Sequence, residues 1–304
     1  MAWIDDSIIE RAAGFLWTGG RVLEQRRFAL HFDGGDPAGL LAALDAYRTP
    51  DGGYAFGLEP DVRGPAPQPL AAIAAARTLA EAGALPGDQR ARGLCDWLTG
   101  VTTPDGGVPA VLPSLRPYPH PPFLPIADDP PADLLATGQI AGPLLRHGVD
   151  HPWVRTADAF CRRAVEQLEQ THPYELIAAV SYLDGAPDRA WARRQAARLG
   201  AAVREQGLVL LDPAHPEQVR PAPGYAPGEY HLPHDYAPRP DSLARAWFTD
   251  AELERGLAHL AAAQQPDGGW PINWARWSAA TESEARPGVT LGALLTLRAY
   301  DETG

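Results

Sequence analysis

Along the chain, stretches that are apolar on one helical face alternate with stretches that are apolar nearly all round. In 250–265, DAELERGLAHLAAAQQ, Leu253, Leu257, Leu260 and Ala261 fall at helical spacing and the rest is polar. The same one-faced pattern marks 151–170, with Trp153, Val154, Ala157, Phe160, Cys161, Ala164, Val165 and Leu168 on its stripe, and 188–203, whose polar face carries Arg189, Arg193 and Arg194. Between and around them lie 68–80, 173–185 and 289–300, apolar on most sides. A helix apolar all round must be buried, and a one-faced helix covers it. Alternation of the two kinds predicts two layers: about twelve helices in six outer–inner pairs, an all-α (α/α)6 toroid spanning 1–304 as a single domain.

A repeated turn supports that expectation. Pro-Asp-Gly-Gly occurs three times, with its aspartates at Asp51, Asp105 and Asp267, separated by 54 and by three times 54 residues. A fixed period of roughly that size is the mark of a repeat architecture. Proline stops the preceding helix, the aspartate side chain holds a local turn, and the glycines take positive φ. The three aspartates are therefore read as scaffolding.

Composition narrows the function classes. A net charge of −12 argues against a nucleic-acid partner. All 26 basic residues are arginine, which excludes Schiff-base chemistry, pyridoxal-phosphate attachment and a Walker P-loop. The two cysteines, Cys95 and Cys161, form no motif and suit a reducing compartment. The first ten residues, MAWIDDSIIE, have neither a basic nor an apolar region of a signal peptide, and no stretch is long enough to span a bilayer. The expected location is cytoplasmic, with no integral membrane segment.

The segment RGLAHLAAAQQPDGGW, 255–270, resembles the QW repeat of squalene–hopene cyclases and their terpene-cyclase relatives. Arg255, Gly256, Leu260, Gln264, Gly268 and Trp270 match it, and His259 stands where an aromatic is usual. In the other two copies Thr102 and Arg48 occupy the glutamine position. RPGVTLGALLTL, 286–297, looks like the helix start that follows such repeats in those cyclases and in protein-prenyltransferase β-subunits. The resemblance implies the toroid and, with it, a cyclase-like activity on an isoprenoid or similar apolar substrate, of lyase or isomerase type. The chain also departs from the family. The string nearest the cyclases' Asp-x-Asp-Asp acid motif is PIADD, with Ile126 at the first acidic position. DDPPAD, 128–133, is broken by Pro130 and Pro131, no second metal motif accompanies it, and Asp133 reads as a helix N-cap. No metal and no cofactor are expected.

Three loops carry candidate chemistry. YAFGLEPDVRGPAPQ, 54–68, puts Glu59, Asp61 and Arg63 beside Tyr54 and Phe56; a carboxylate next to an arginine and a second acid suits a proton donor. The second, 224–242, holds Tyr225, Tyr230, His231, His234, Asp235 and Tyr236, with His234 and Asp235 as an acid–base or orienting pair and Asp241 as a helix N-cap. Ten prolines stiffen the third, 103–131, which contributes Arg116 and Tyr118 to a lid or cavity wall. Trp270 and Trp274, in WPINWARW, would stabilise a cation through their π faces or simply pack. Catalytic candidates are thus Glu59, Asp61, His234 and Asp235. Substrate-binding candidates are Tyr54, Phe56, Arg63, Arg116, Tyr118, Tyr230, His231, Tyr236, Trp270 and Trp274. Two other classes compete with the cyclase. DGGWPINW resembles a string in helical-toroid pectate lyases, which implies a carbohydrate lyase or hydrolase, and a non-catalytic ligand-binding toroid fits the same framework.

Overall fold

The computed structural model describes residues 2–302. Among them are twelve α-helices, three short 3₁₀ turns and no strand, the one isolated β-bridge joining Arg48 to Tyr54. The chain divides into two compact units, 36–195, and 1–35 with 196–304.

The first unit contains α3 (Pro37–Asp45), α4 (Pro69–Glu81), α5 (Gln89–Gly100), α6 (Leu134–Arg146), α7 (Pro152–Gln167), α8 (Pro173–Gly185) and the start of α9 (Arg189–Glu205). The alternation of the sequence is visible here as burial. Helices α4, α6 and α8 are buried over most of their surface, whereas α7 buries one stripe of Trp153, Val154, Ala157, Cys161 and Val165. Small residues let α6 and α8 touch backbone to backbone. A Cβ on Gly138 would lie 2.8 Å from the Ala178 carbonyl oxygen, one on Gly142 2.2 Å from that of Ser181, and one on Gly185 2.1 Å from that of Gly142. This register runs the two helices in the same direction and brings their N-termini together. The His-Pro pairs at 151–152 and 172–173 set two starts: each imidazole accepts a backbone N–H two residues on, and each proline takes the first helical position, where no N–H is needed.

The second unit contains α1 (Asp6–Gly19), α2 (Val22–Phe32), the rest of α9, α10 (Pro233–Tyr236), α11 (Asp250–Ala262) and α12 (Ala279–Asp301). Its core gathers Leu16, Phe28, Leu253, Leu257, Trp270, Leu291, Leu294 and Leu297. The Asp301 carboxylate accepts the Trp3 and Ile4 N–H groups at 2.7 and 2.9 Å, tying the first residues to the last helix.

The three turns fold alike. The N–H of residue 49, 103 or 265 donates to the carbonyl of the second glycine at 2.9, 2.9 and 2.8 Å, and the first glycines, Gly52, Gly106 and Gly268, have φ of 94°, 93° and 91°. Asp51 and Asp267 accept the N–H two residues on, the local role expected of them. Asp133 caps α6 by accepting the Leu135 N–H at 2.7 Å.

Three local expectations change. Ser242 caps the 3₁₀ turn at Leu243–Trp247, while Asp241 pairs with Arg239. The 224–242 stretch contains the single-turn α10. Helix α12 begins at Ala279 under a Ser278 cap, so Pro287 lies inside it; the proline costs one intrahelical bond and leaves the helix continuous.

Candidate functional site

The 54–68 loop closes on itself: the Gln68 N–H donates to the Tyr54 carbonyl at 3.0 Å. Inside it Val62 N–H donates to the Glu59 carbonyl, and Glu59, Asp61 and Arg63 are half-buried. Phe56 has a φ of 59°, an uncommon conformation for a bulky side chain, and the residue is 52% exposed. Tyr54 is wholly buried, its hydroxyl has no hydrogen-bond partner among the described residues, and burial pushes its pKa up to about 12. Gln68 joins this loop to the proline-rich one, donating to the Ser114 hydroxyl at 3.0 Å and accepting the Leu112 N–H at 2.8 Å. Gly64 is packed so closely under Tyr118 that a Cβ there would be 2.4 Å from the ring. Tyr118 therefore sits beside the residue following Arg63. Arg116 points elsewhere, into an exposed pair with Asp128 at 2.7 Å.

Two further carboxyls stand at the N-termini of the adjacent helices α6 and α8. Burial raises the pKa of Asp133, outweighing the Leu135 N–H bond that lowers it. Burial also raises Glu175, and the charge of Asp133 adds to the rise, against a 2.9 Å hydrogen bond from the Thr171 hydroxyl. Asp133 is legible in the sequence only as a cap, and Glu175 carries no sequence signal, since their proximity depends on the α6–α8 register.

In the other unit His234 is buried, its Nδ1 faces Gly256 of α11 and has no partner among the described residues, and burial lowers its pKa. Its Nε2 is 3.9 Å from Asp235, whose other oxygen accepts the Leu232 N–H at 2.7 Å. Tyr225 and His231 Nδ1 share a 2.8 Å hydrogen bond, and Tyr236 donates to the Leu208 carbonyl at 2.6 Å within a cluster including Trp247 and Phe248. Asn273 donates to the Tyr230 carbonyl at 3.3 Å, which brings the tryptophan loop and its half-buried Trp274 beside the 224–242 segment. Trp270 belongs to the apolar core, its indole N–H donating to the Leu260 carbonyl at 2.7 Å. Among the described residues no group of three or more His, Cys, Asp or Glu side chains is arranged to hold a metal ion, and no helix is long and apolar enough to cross a membrane.

No protein-family model and no curated protein sequence matches the chain. Solved structures do. The type II terpene cyclase MstE from Scytonema, in a complex with merosterolic acid A (product), aligns with a TM-score of 0.59 at 15% identity, over 98% of this chain and 97% of that one. A second structure of that cyclase, with geranylgeranyl dihydroxybenzoate (substrate), gives 0.58 at the same identity and coverage. The likeness shows the fold: an all-α chain of the α/α toroid class found in these cyclases.

Proposed function

We propose that this protein is a terpene-cyclase-like enzyme, acting on an isoprenoid or similarly apolar substrate by protonating it and stabilising the resulting carbocation. The observation that carries the reading is the fold shared over nearly the whole chain with a cyclase captured with a geranylgeranyl substrate. Gln264, which donates to the Ile8 and Gly268 carbonyls, and Trp270 support reading the third turn as a QW-type repeat.

The proton donor is drawn from the carboxyls at the starts of buried helices: Glu59 or Asp61 before α4, with Arg63 beside them, or Asp133 at α6. Asp133 has the environment a donor needs, because burial at the start of α6 retains its proton to higher pH. Phe56, Tyr118, Tyr230 and Trp274 keep surface to offer a hydrocarbon chain, and His234 with Asp235 is the proposed acid–base pair of the other unit. The chain acts in this reading as one domain. The test is single-turnover reaction with geranylgeranyl dihydroxybenzoate for Glu59→Gln, Asp61→Asn and Asp133→Asn. The donor's variant loses about 10²–10⁴-fold in rate with its fold intact. Full activity in all three removes the assignment.

A further inference from the structure

The three turns are near copies, so each predicts what the others should contain. In every copy the first glycine abuts the next one-faced helix: Gly52 against the Gly93 carbonyl of α5, Gly106 against Thr156 of α7, and Gly268 against the Arg11 carbonyl of α1. The residue just before each turn is then placed to fasten the turn to that helix. Gln264 does so by donating to the Ile8 carbonyl at 3.0 Å and accepting from the Arg11 guanidinium. Thr102 does so by accepting the Trp153 indole N–H at 2.9 Å. Ile8 and Trp153 each lie three residues before the abutting one.

At the first turn the corresponding residues are Arg48 and Arg90, and no side-chain bond joins them. Arg90 turns away to Asp45, with two contacts of 2.7 Å, and to Asp88. Arg48 makes no side-chain hydrogen bond or ion pair among the described residues, and its Nε is buried without a partner. The guanidinium lies across Gly93, where a Cβ would be 2.6 Å from Nη2. A glycine in mid-helix costs about 1 kcal/mol against alanine, so α5 gives up stability at the point where it admits this cation. Arg48 is bridged to Tyr54, and cross-strand partners share a face, which sets the buried, unpartnered Tyr54 hydroxyl alongside. Where the other turns have a closed fastening, Asp45, Arg48, Thr49, Pro50, Gln89 and Arg90 line an open cleft of about 360 Å³. Gln89, exposed at the start of α5, is part of that lining, while the Thr49 hydroxyl donates to Asp51 at 2.5 Å.

We infer that this cleft is a binding site for a small oxyanion, a carboxylate or a phosphate, held by Arg48 and Gln89 with Arg90 behind them. The anion supplies the acceptor that the fastening lacks: it satisfies Arg48, as the Ile8 carbonyl satisfies Gln264 at the third turn. Guanidinium hydrogen bonds to an oxyanion are charge-assisted and strong, and a planar carboxylate or a phosphate matches their fork. The site is independent of the proposed cyclase reaction.

The test is calorimetric titration of the full chain with inorganic phosphate and, separately, with succinate, at ionic strength held constant with chloride. Saturable binding of one anion per chain is expected; phosphate alone, succinate alone or both identifies the preferred oxyanion. Arg48→Gln, which installs the residue used at the third turn, should weaken binding about ten- to hundredfold without lowering the melting temperature. Arg48→Met provides the same readout if the glutamine variant does not fold. Arg155→Gln, which breaks an exposed pair with Asp150, should bind as the wild type does. Absence of saturation with both anions, or equal binding by wild type and the Arg48 variants, overturns the inference.

Discussion

Replacing Gly268 by alanine probes how the turns are built. Gly268 has a φ of 91°, and an added Cβ would lie 2.0 Å from the Arg11 carbonyl oxygen and 2.6 Å from its carbon. Both atoms belong to the backbone of α1, so no side chain can rotate away. The left-handed backbone costs about 1–2 kcal/mol for a residue with a Cβ, and forcing the turn off α1 costs a further 1–3 kcal/mol or so, as other overpacking does. The expected loss is about 2–5 kcal/mol. Gly228 is the internal control: its φ is 84°, but nothing lies within 4 Å of its Cβ position, so Gly228→Ala should lose only the first part. Urea unfolding of both variants, followed by circular dichroism, measures the difference. Equal losses would refute the reasoning, because they would mean that the close approach of turn and helix contributes nothing.

Other outcomes follow from single groups. Burial lowers the His234 pKa below 6.5, so the imidazole is neutral in the fold while the unfolded chain takes up a proton; its contribution is complete above about pH 6.5 and declines as pH falls below it, and His234→Gln should flatten that part of a stability–pH profile. Burial pushes Cys95 up to about 12 and raises Cys161 as well, so neither thiol should react with a disulfide reagent at pH 8 until denaturant is added; fast native labelling would contradict their placement. Asp267→Asn breaks the paired contacts to Arg286 at 2.8 and 2.9 Å, but the carboxylate is half exposed, so unfolding measurements should show a loss of about 1 kcal/mol or less with turnover unchanged. A proton-initiated reaction needs no metal, so turnover should survive EDTA; loss restored by added magnesium would contradict it.

The repeat and the two kinds of helix are readable in the sequence because both are local. Turn chemistry depends on four consecutive residues, and burial on the spacing of apolar side chains within one helix. What depends on register between distant segments is not readable. Asp133 announces itself as a cap, yet its burial and its effect on Glu175 exist only because Gly138, Gly142 and Gly185 let α6 and α8 run side by side. Arg48 is visible as a departure at the glutamine position, but its place in one cleft with Arg90 requires the turn to be seated on α5. Pro287 misleads for a different reason: a proline marks a helix boundary on average, and here α12 absorbs it. The 224–242 segment hides α10 because four residues are too few to show a period.

Deuterium reports directly on protonation of a prenyl chain. The purified protein is incubated with geranylgeranyl dihydroxybenzoate in D₂O and the products are separated by mass spectrometry. Protonation of an alkene followed by loss of a proton from the cation leaves an isomer of the substrate, so a cyclised product carrying one deuterium at the carbon first protonated is expected. Unchanged substrate that also fails to bind, or a product without deuterium, would contradict it.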